Sequence, residues 1–117
     1  MPDITPYRHD LEVIRDTARQ VIKDFGMAGI EIQFSGNAAS AYHELTEQAL
    51  PGLRKLYQAN QASFMALLYR IDVEEKKVRE VSENFTGNAF FENLANLIIE
   101  REFIKVVIRK LYSSRNG

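Results

Sequence analysis

The sequence predicts a mainly α-helical chain: a small bundle of three long helices and one short helix, with one short extended segment or β-strand near residues 30–34. Three observations predict it. Apolar residues recur at helical spacing over residues 7–25, 42–71 and 90–112. The joints between these stretches carry turn and capping chemistry. No catalytic motif interrupts them. Each stretch has more apolar surface than an isolated helix keeps in water, so each must pack on a partner.

In the first stretch, Thr5-Pro6 offers a cap and a proline suited to the first helical position. Tyr7, Leu11, Ile14, Ala18, Val21 and Phe25 then recur at a mean spacing of 3.6 and form one stripe. Gly26 is placed to end the helix in a left-handed conformation.

The next segment changes period. Ile30, Ile32 and Phe34 alternate with Glu31, Gln33 and Ser35, the pattern of a half-buried strand. No second strand of comparable clarity exists, so its backbone needs partners. Two solutions stay open. The segment runs across the helices, or it pairs with itself in a second copy, antiparallel about a twofold axis.

The second stretch carries Tyr42, Leu45, Ala49, Leu53, Leu56, Asn60, Phe64, Leu67 and Ile71. Thirty residues would span about 45 Å, long for so small a domain. Pro51-Gly52 lies inside it and predicts a kink or a break; the unbroken phase of the stripe favours the kink. Asn60 interrupts the stripe and could fix register against a second copy or against Arg101. Asp72-Val73-Glu74-Glu75 reads as a capping box for a short helix whose inner side is Val78, Val81 and Phe85.

The last stretch carries Phe90, Leu94, Leu97, Arg101, Ile104, Ile108 and Leu111, with a second row of Ile99, Phe103, Val106 and Val107. A helix with two apolar faces belongs between two neighbours, or else offers one face to another molecule.

With 117 residues, the chain has room for a single domain, 1–117. Hydrophobic residues at 45% and charged residues at 26% place it among globular proteins. Residues 1–5 and 113–117 read as fraying ends. Fifteen basic against sixteen acidic residues give a net charge of -1, so there is no global pull toward nucleic acid or anionic lipid. No apolar run reaches the roughly eighteen residues a membrane span needs. There is no cysteine, which excludes disulfides, thiolate catalysis and cysteine zinc sites and fits a reducing, cytoplasmic home.

Candidate chemistry is sparse. His43 and Glu47 are one helical turn apart but lack a third metal ligand. The carboxylate pairs sit beside basic residues on polar faces. No nucleophile elbow, P-loop or dinucleotide fingerprint occurs. No cofactor, metal or catalytic residue is therefore expected. Arg101, Lys105 and Arg109 recur every four residues as a basic ridge, which suits a phosphate backbone; the missing recognition motif and the negative net charge disfavour that reading.

The leading expectation is a small non-catalytic helical interaction module that self-associates, most simply as a dimer. Its surface would be Ile99, Phe103, Val106 and Val107, or Ile30, Ile32 and Phe34. One alternative binds a small ligand between helices, in a pocket lined by Tyr42, Tyr57, Phe64, Tyr69 and Asn60. The other is a nucleic-acid-associated protein using the basic ridge.

Overall fold

A computed structural model of the chain describes residues 3–116. It contains five α-helices: α1 (Leu11–Met27), α2 (Ala41–Ala59), α3 (Gln61–Ile71), α4 (Glu75–Asn84) and α5 (Gly87–Asn116). Met1, Pro2 and Gly117, parts of the expected fraying ends, lie outside the described residues. The rest of those ends is ordered differently: Thr5–Tyr7 forms a 3-10 turn and α5 stays helical to Asn116.

Helix α5 is the central element, packing on α1, α2, α3 and α4. Its 30 residues span about 45 Å. The second apolar row meets the rest of the chain: Ile99, Phe103, Val106 and Val107 are all nearly or fully buried within it. They therefore offer no free face on the folded chain, contrary to the surface role expected of them. Ile98, Ile99, Leu94 and Ala95 join Val21, Phe25, Leu45, Leu53, Leu67 and Ile71 in the larger core. Phe103, Val106 and Val107 join Val13 in a smaller one, with Tyr42 bridging both.

Helix α1 starts later than Thr5-Pro6 suggested. Asp10 is its cap, its Oδ1 accepting from the Val13 N–H at 3.1 Å. The helix runs through Gly26, and Gly29 (φ 81°) makes the left-handed turn instead. The Ile30 N–H then reaches back to the Phe25 carbonyl at 2.9 Å, and that of Gly29 to Gly26 at 3.0 Å. These two bonds close the helix end.

No strand forms among the described residues; residues 30–34 carry no regular secondary structure. The alternation that suggested one is real as burial: Ile32 is buried and Ile30 and Phe34 half-buried, while Glu31 and Gln33 face water. What replaces the partner strand is a side chain. Gln48 of α2 accepts from the Gln33 N–H at 2.9 Å and donates to the Gln33 carbonyl at 2.6 Å. Glu44, one turn earlier, accepts from the Ser35 N–H and hydroxyl. At the other end Ile30 presses on the α2 backbone at Gly52, where any Cβ would lie 2.6 Å from Ile30 Cγ2. The segment is thus strapped along α2 within one chain.

The long second stretch does break, but not at Pro51, which lies inside α2. The break is at Asn60 (φ -157°, ψ 93°), whose Oδ1 accepts from the Ser63 N–H at 3.0 Å and caps α3. Asn60 is exposed and spends its side chain on this cap, so it sets no register in a buried seam. Asp72 opens no capping box either. It sits at φ 63° as the left-handed residue that ends α3, and α4 begins after Glu74 without a side-chain cap. Helix α4 buries no residue fully; Val78 and Val81 are half-buried and Phe85 is 40% exposed. Among the described residues no helix is long and apolar enough to cross a membrane.

Candidate functional site

The α3–α4 elbow organises the most unusual surface of the molecule. The Val73 N–H donates to the Leu68 carbonyl at 3.2 Å and that of Asp72 to Tyr69 at 3.1 Å, the bond pair that closes a helix through a left-handed residue. Aspartate tolerates that conformation better than most residues because its short polar side chain bonds locally. Two cations of α5 then grip the turn. Arg101 donates from Nε to the Asp72 carbonyl at 2.9 Å and from Nη2 to Asp72 Oδ2 at 3.0 Å. Lys105 Nζ donates to the Ile71 carbonyl at 2.9 Å. Cations at the end of α3 are favoured by its dipole and satisfy its last carbonyls.

Beyond the elbow, α3 and α4 diverge. Helix α4 packs substantially on α5 only, and not on its sequence neighbour α3. The space between them is an open groove of about 1060 Å3. Its floor is apolar: Phe64 and Leu68 are buried, and Val73, Val78 and Phe90 half-buried. Beneath it Tyr57 meets the edges of Phe64 and Phe91 at ring separations of 5.1 and 5.6 Å, and Phe91 meets Phe90 at 5.0 Å. Met65 and Tyr69, one turn apart on α3, stand at its side 59% and 89% exposed. Arg70, Glu75 and Arg79 add charges of both signs.

The second unusual feature lies inside. Glu102 is fully buried, Asp24 is 4% exposed and Thr17 is buried, all on the facing sides of α1 and α5. Thr17 is satisfied by donating to the Val13 carbonyl at 2.7 Å. Asp24 Oδ2 accepts from Gln20 Nε2 at 3.1 Å. Glu102 Oε1 accepts from Lys105 Nζ at 3.3 Å, while its Oε2 has no donor. Burial pushes the Glu102 carboxyl up to about 8, helped by the neighbouring Asp24 carboxyl and opposed by Lys105. A neutral Glu102 resolves the orphaned oxygen, because a proton on Oε2 turns it into a donor toward Asp24.

A third cluster joins the N-terminal turn to α5. Arg8 holds Glu100 with two hydrogen bonds of 2.7 and 2.5 Å and lies 4.4 Å above the Phe103 ring. Tyr42 packs edge-on against Phe103, and burial pushes its hydroxyl up to about 12.

The basic ridge is not a free one. Arg101 and Lys105 grip the end of α3, and Arg109 Nη2 donates to Gln20 Oε1 at 3.2 Å. Of the five residues expected to share a pocket, Tyr57, Phe64 and Tyr69 do line the groove. Tyr42 lies against Phe103, and Asn60 caps α3. His43 and Glu47 lie 3.7 Å apart and are exposed. Among the described residues no three histidine, aspartate or glutamate side chains converge to hold a metal.

Asp24 and Glu102 escaped the sequence reading, although a signal exists. Besides Phe91 and Ile104, the buried residues of α5 come in doublets four apart: Leu94 and Ala95, Ile98 and Ile99, Glu102 and Phe103, Val106 and Val107. Glu102 alone breaks the apolar run. The groove left no such signal, because it depends on the angle at which α4 leaves the elbow. No known protein family, curated protein sequence or solved structure matches this chain.

Proposed function

We propose that the chain is a non-catalytic helical interaction module that self-associates, with the α3–α4 face as its working surface. The observation that carries this reading is the apolar groove of about 1060 Å3 flanked by Met65 and Tyr69 in water. Exposed apolar grooves between helices commonly receive another apolar element.

A second copy is the occupant that fits best. Tyr69 protrudes beside a groove whose floor is unfilled, so a twofold axis would place each Tyr69 in the other's groove. Arg79 and Glu75 sit one turn apart on α4, and such a pair reverses sign across a twofold and complements itself. The net charge of -1 opposes self-association only weakly. Nucleic-acid binding through Arg101, Lys105 and Arg109 is less favoured, because all three cations already serve acceptors of the fold.

Sedimentation velocity across micromolar concentrations tests the proposal. The wild-type chain should shift from monomer to dimer, and Tyr69→Glu should remain monomeric with its helical circular dichroism intact. A wild-type chain that stays monomeric throughout overturns the reading. A dimer indifferent to both Tyr69→Glu and Met65→Glu overturns the choice of face.

A further inference from the structure

We propose that Asp24, Glu102 and Lys105 form a proton-operated latch that sets the α3–α4 elbow and, through it, the shape of the groove. The functional meaning of the latch rests on the groove being the working surface; the latch itself does not.

Two sets of hydrogen bonds meet at the neighbouring carboxyls of Asp24 and Glu102, one from the Arg109 side and one from the elbow. Arg109 donates to Gln20, Gln20 to Asp24, and Lys105 to both Glu102 and the Ile71 carbonyl. The charged groups facing Glu102 are Asp24 from α1 and Lys105 from its own helix. Helix α3 contributes only a backbone carbonyl, and Arg109 reaches the acids only through Gln20. Among the described residues, Lys105 is therefore the one charged group shared by the acid pair and the elbow.

Two carboxyls packed together away from water do not readily ionise together. With one proton held on Glu102, the pair carries a single negative charge, and Lys105 donates to it through Glu102 Oε1. Lys105 is then held chiefly by its shorter contact, the Ile71 carbonyl at 2.9 Å against 3.3 Å to Glu102. When that proton passes to solvent, two negative charges face one ammonium. The ammonium is drawn toward the carboxyls, and its hold on Ile71 weakens. Arg101 keeps its bonds to Asp72, so the elbow loosens on one side rather than coming apart. Met65 and Tyr69 lie on the last turns of α3 beside that point, so their disposition follows the elbow.

Nuclear magnetic resonance on the full chain, kept dilute enough to be monomeric, reads both ends of the latch. The Glu102 carboxyl carbon and the Asp72 and Val73 amides are followed from pH 5 to pH 10. The expected result is one shared midpoint near 8 for all three. Glu102→Gln should abolish the elbow transition. Asp24→Asn should move both midpoints down together, since it removes the like charge. Lys105→Met should leave Glu102 titrating while the elbow stays still. The proposal is overturned if the elbow amides stay fixed while Glu102 titrates, if they titrate unchanged in Glu102→Gln, or if Glu102 titrates as an ordinary surface glutamate. These signals come from the monomer, so a chain that never dimerises can still pass, and one that dimerises can still fail.

Discussion

The α1–α5 seam and the α3–α4 face invert each other. The seam puts two carboxyls where apolar side chains belong, and the face leaves a tyrosine and a methionine in water. Each misplacement has a local reason. In the seam, charge is tolerated because one acid can keep its proton and Lys105 donates to it. At the face, α4 offers little apolar surface of its own and rests on α5, so among the described residues α4 leaves the Met65 and Tyr69 side of α3 uncovered. The difference separates two kinds of cost. Polar groups inside tax folding at particular pH values, whereas apolar groups outside leave folding intact and await another surface.

Neighbouring positions on α3 give the sharpest test of that contrast. Leu67 is 1% exposed and Met65 is 59% exposed. Leu67→Ala should destabilise the chain by about 2–5 kcal/mol in urea melts, because it removes buried methylenes and leaves a cavity. Met65→Ala should stay within about 0.5 kcal/mol, as surface substitutions do, yet weaken self-association. Equal losses at the two positions would erase the distinction between core and face.

The seam is tested by pH. The folded Glu102 carboxyl, at about 8, lies above its ordinary value of 4.5. Below 4.5 the folded and unfolded chains both hold the proton, and this group leaves stability unchanged. Between 4.5 and 8 the unfolded chain releases the proton while the folded chain keeps it, so stability falls as pH rises. Above 8 both release it and the loss is complete. A change of one pH unit in such a value corresponds to about 1.4 kcal/mol, so the loss from pH 4 to pH 9 is on the order of a few kcal/mol. Glu102→Gln keeps the shape and can donate to Asp24 without a titrating proton. Its urea midpoint should be nearly flat over this range and exceed that of the wild type at pH 9. A wild-type profile already flat from pH 4 to 9 would mean that water reaches the seam.

Much of the architecture was legible from apolar spacing. The α5 rows placed that helix between neighbours, and the alternation at 30–34 gave the correct inward residues. What spacing cannot report is who satisfies a backbone. Gln48 stands in for a partner strand, and nothing in its local sequence advertises that. The break at Asn60 was hidden because the stripe stays in phase across it. A proline drew attention to Pro51, yet α2 passes through it. Glu102 has Lys105 three residues on, the spacing of an ordinary ion pair on a helix surface. The pairing exists, but it lies inside, because Glu102 falls where Ile98 and Ile99 of one core give way to Phe103 and Val106 of the other.

Asn60 carries a smaller loss than Leu67 or the seam and tests whether the face takes in the α2–α3 break. Its backbone is in the extended region, which alanine also adopts, and its side chain is exposed. Asn60→Ala therefore opens no cavity and removes only the bond from the Ser63 N–H to Oδ1. Losing such a cap costs about 1 kcal/mol. Asn60→Asp should recover it, since aspartate caps as well and its charge suits the helix N-terminus. Self-association should be unchanged in both variants, because the groove is lined by Tyr57, Ala62, Phe64, Met65 and Tyr69 on either side of Asn60 but not by Asn60 itself. If Asn60→Ala left the urea midpoint untouched but abolished the dimer in sedimentation, Asn60 would belong to the contact between copies. The working surface would then take in the α2–α3 break itself, between Tyr57 and Ala62 of the groove lining.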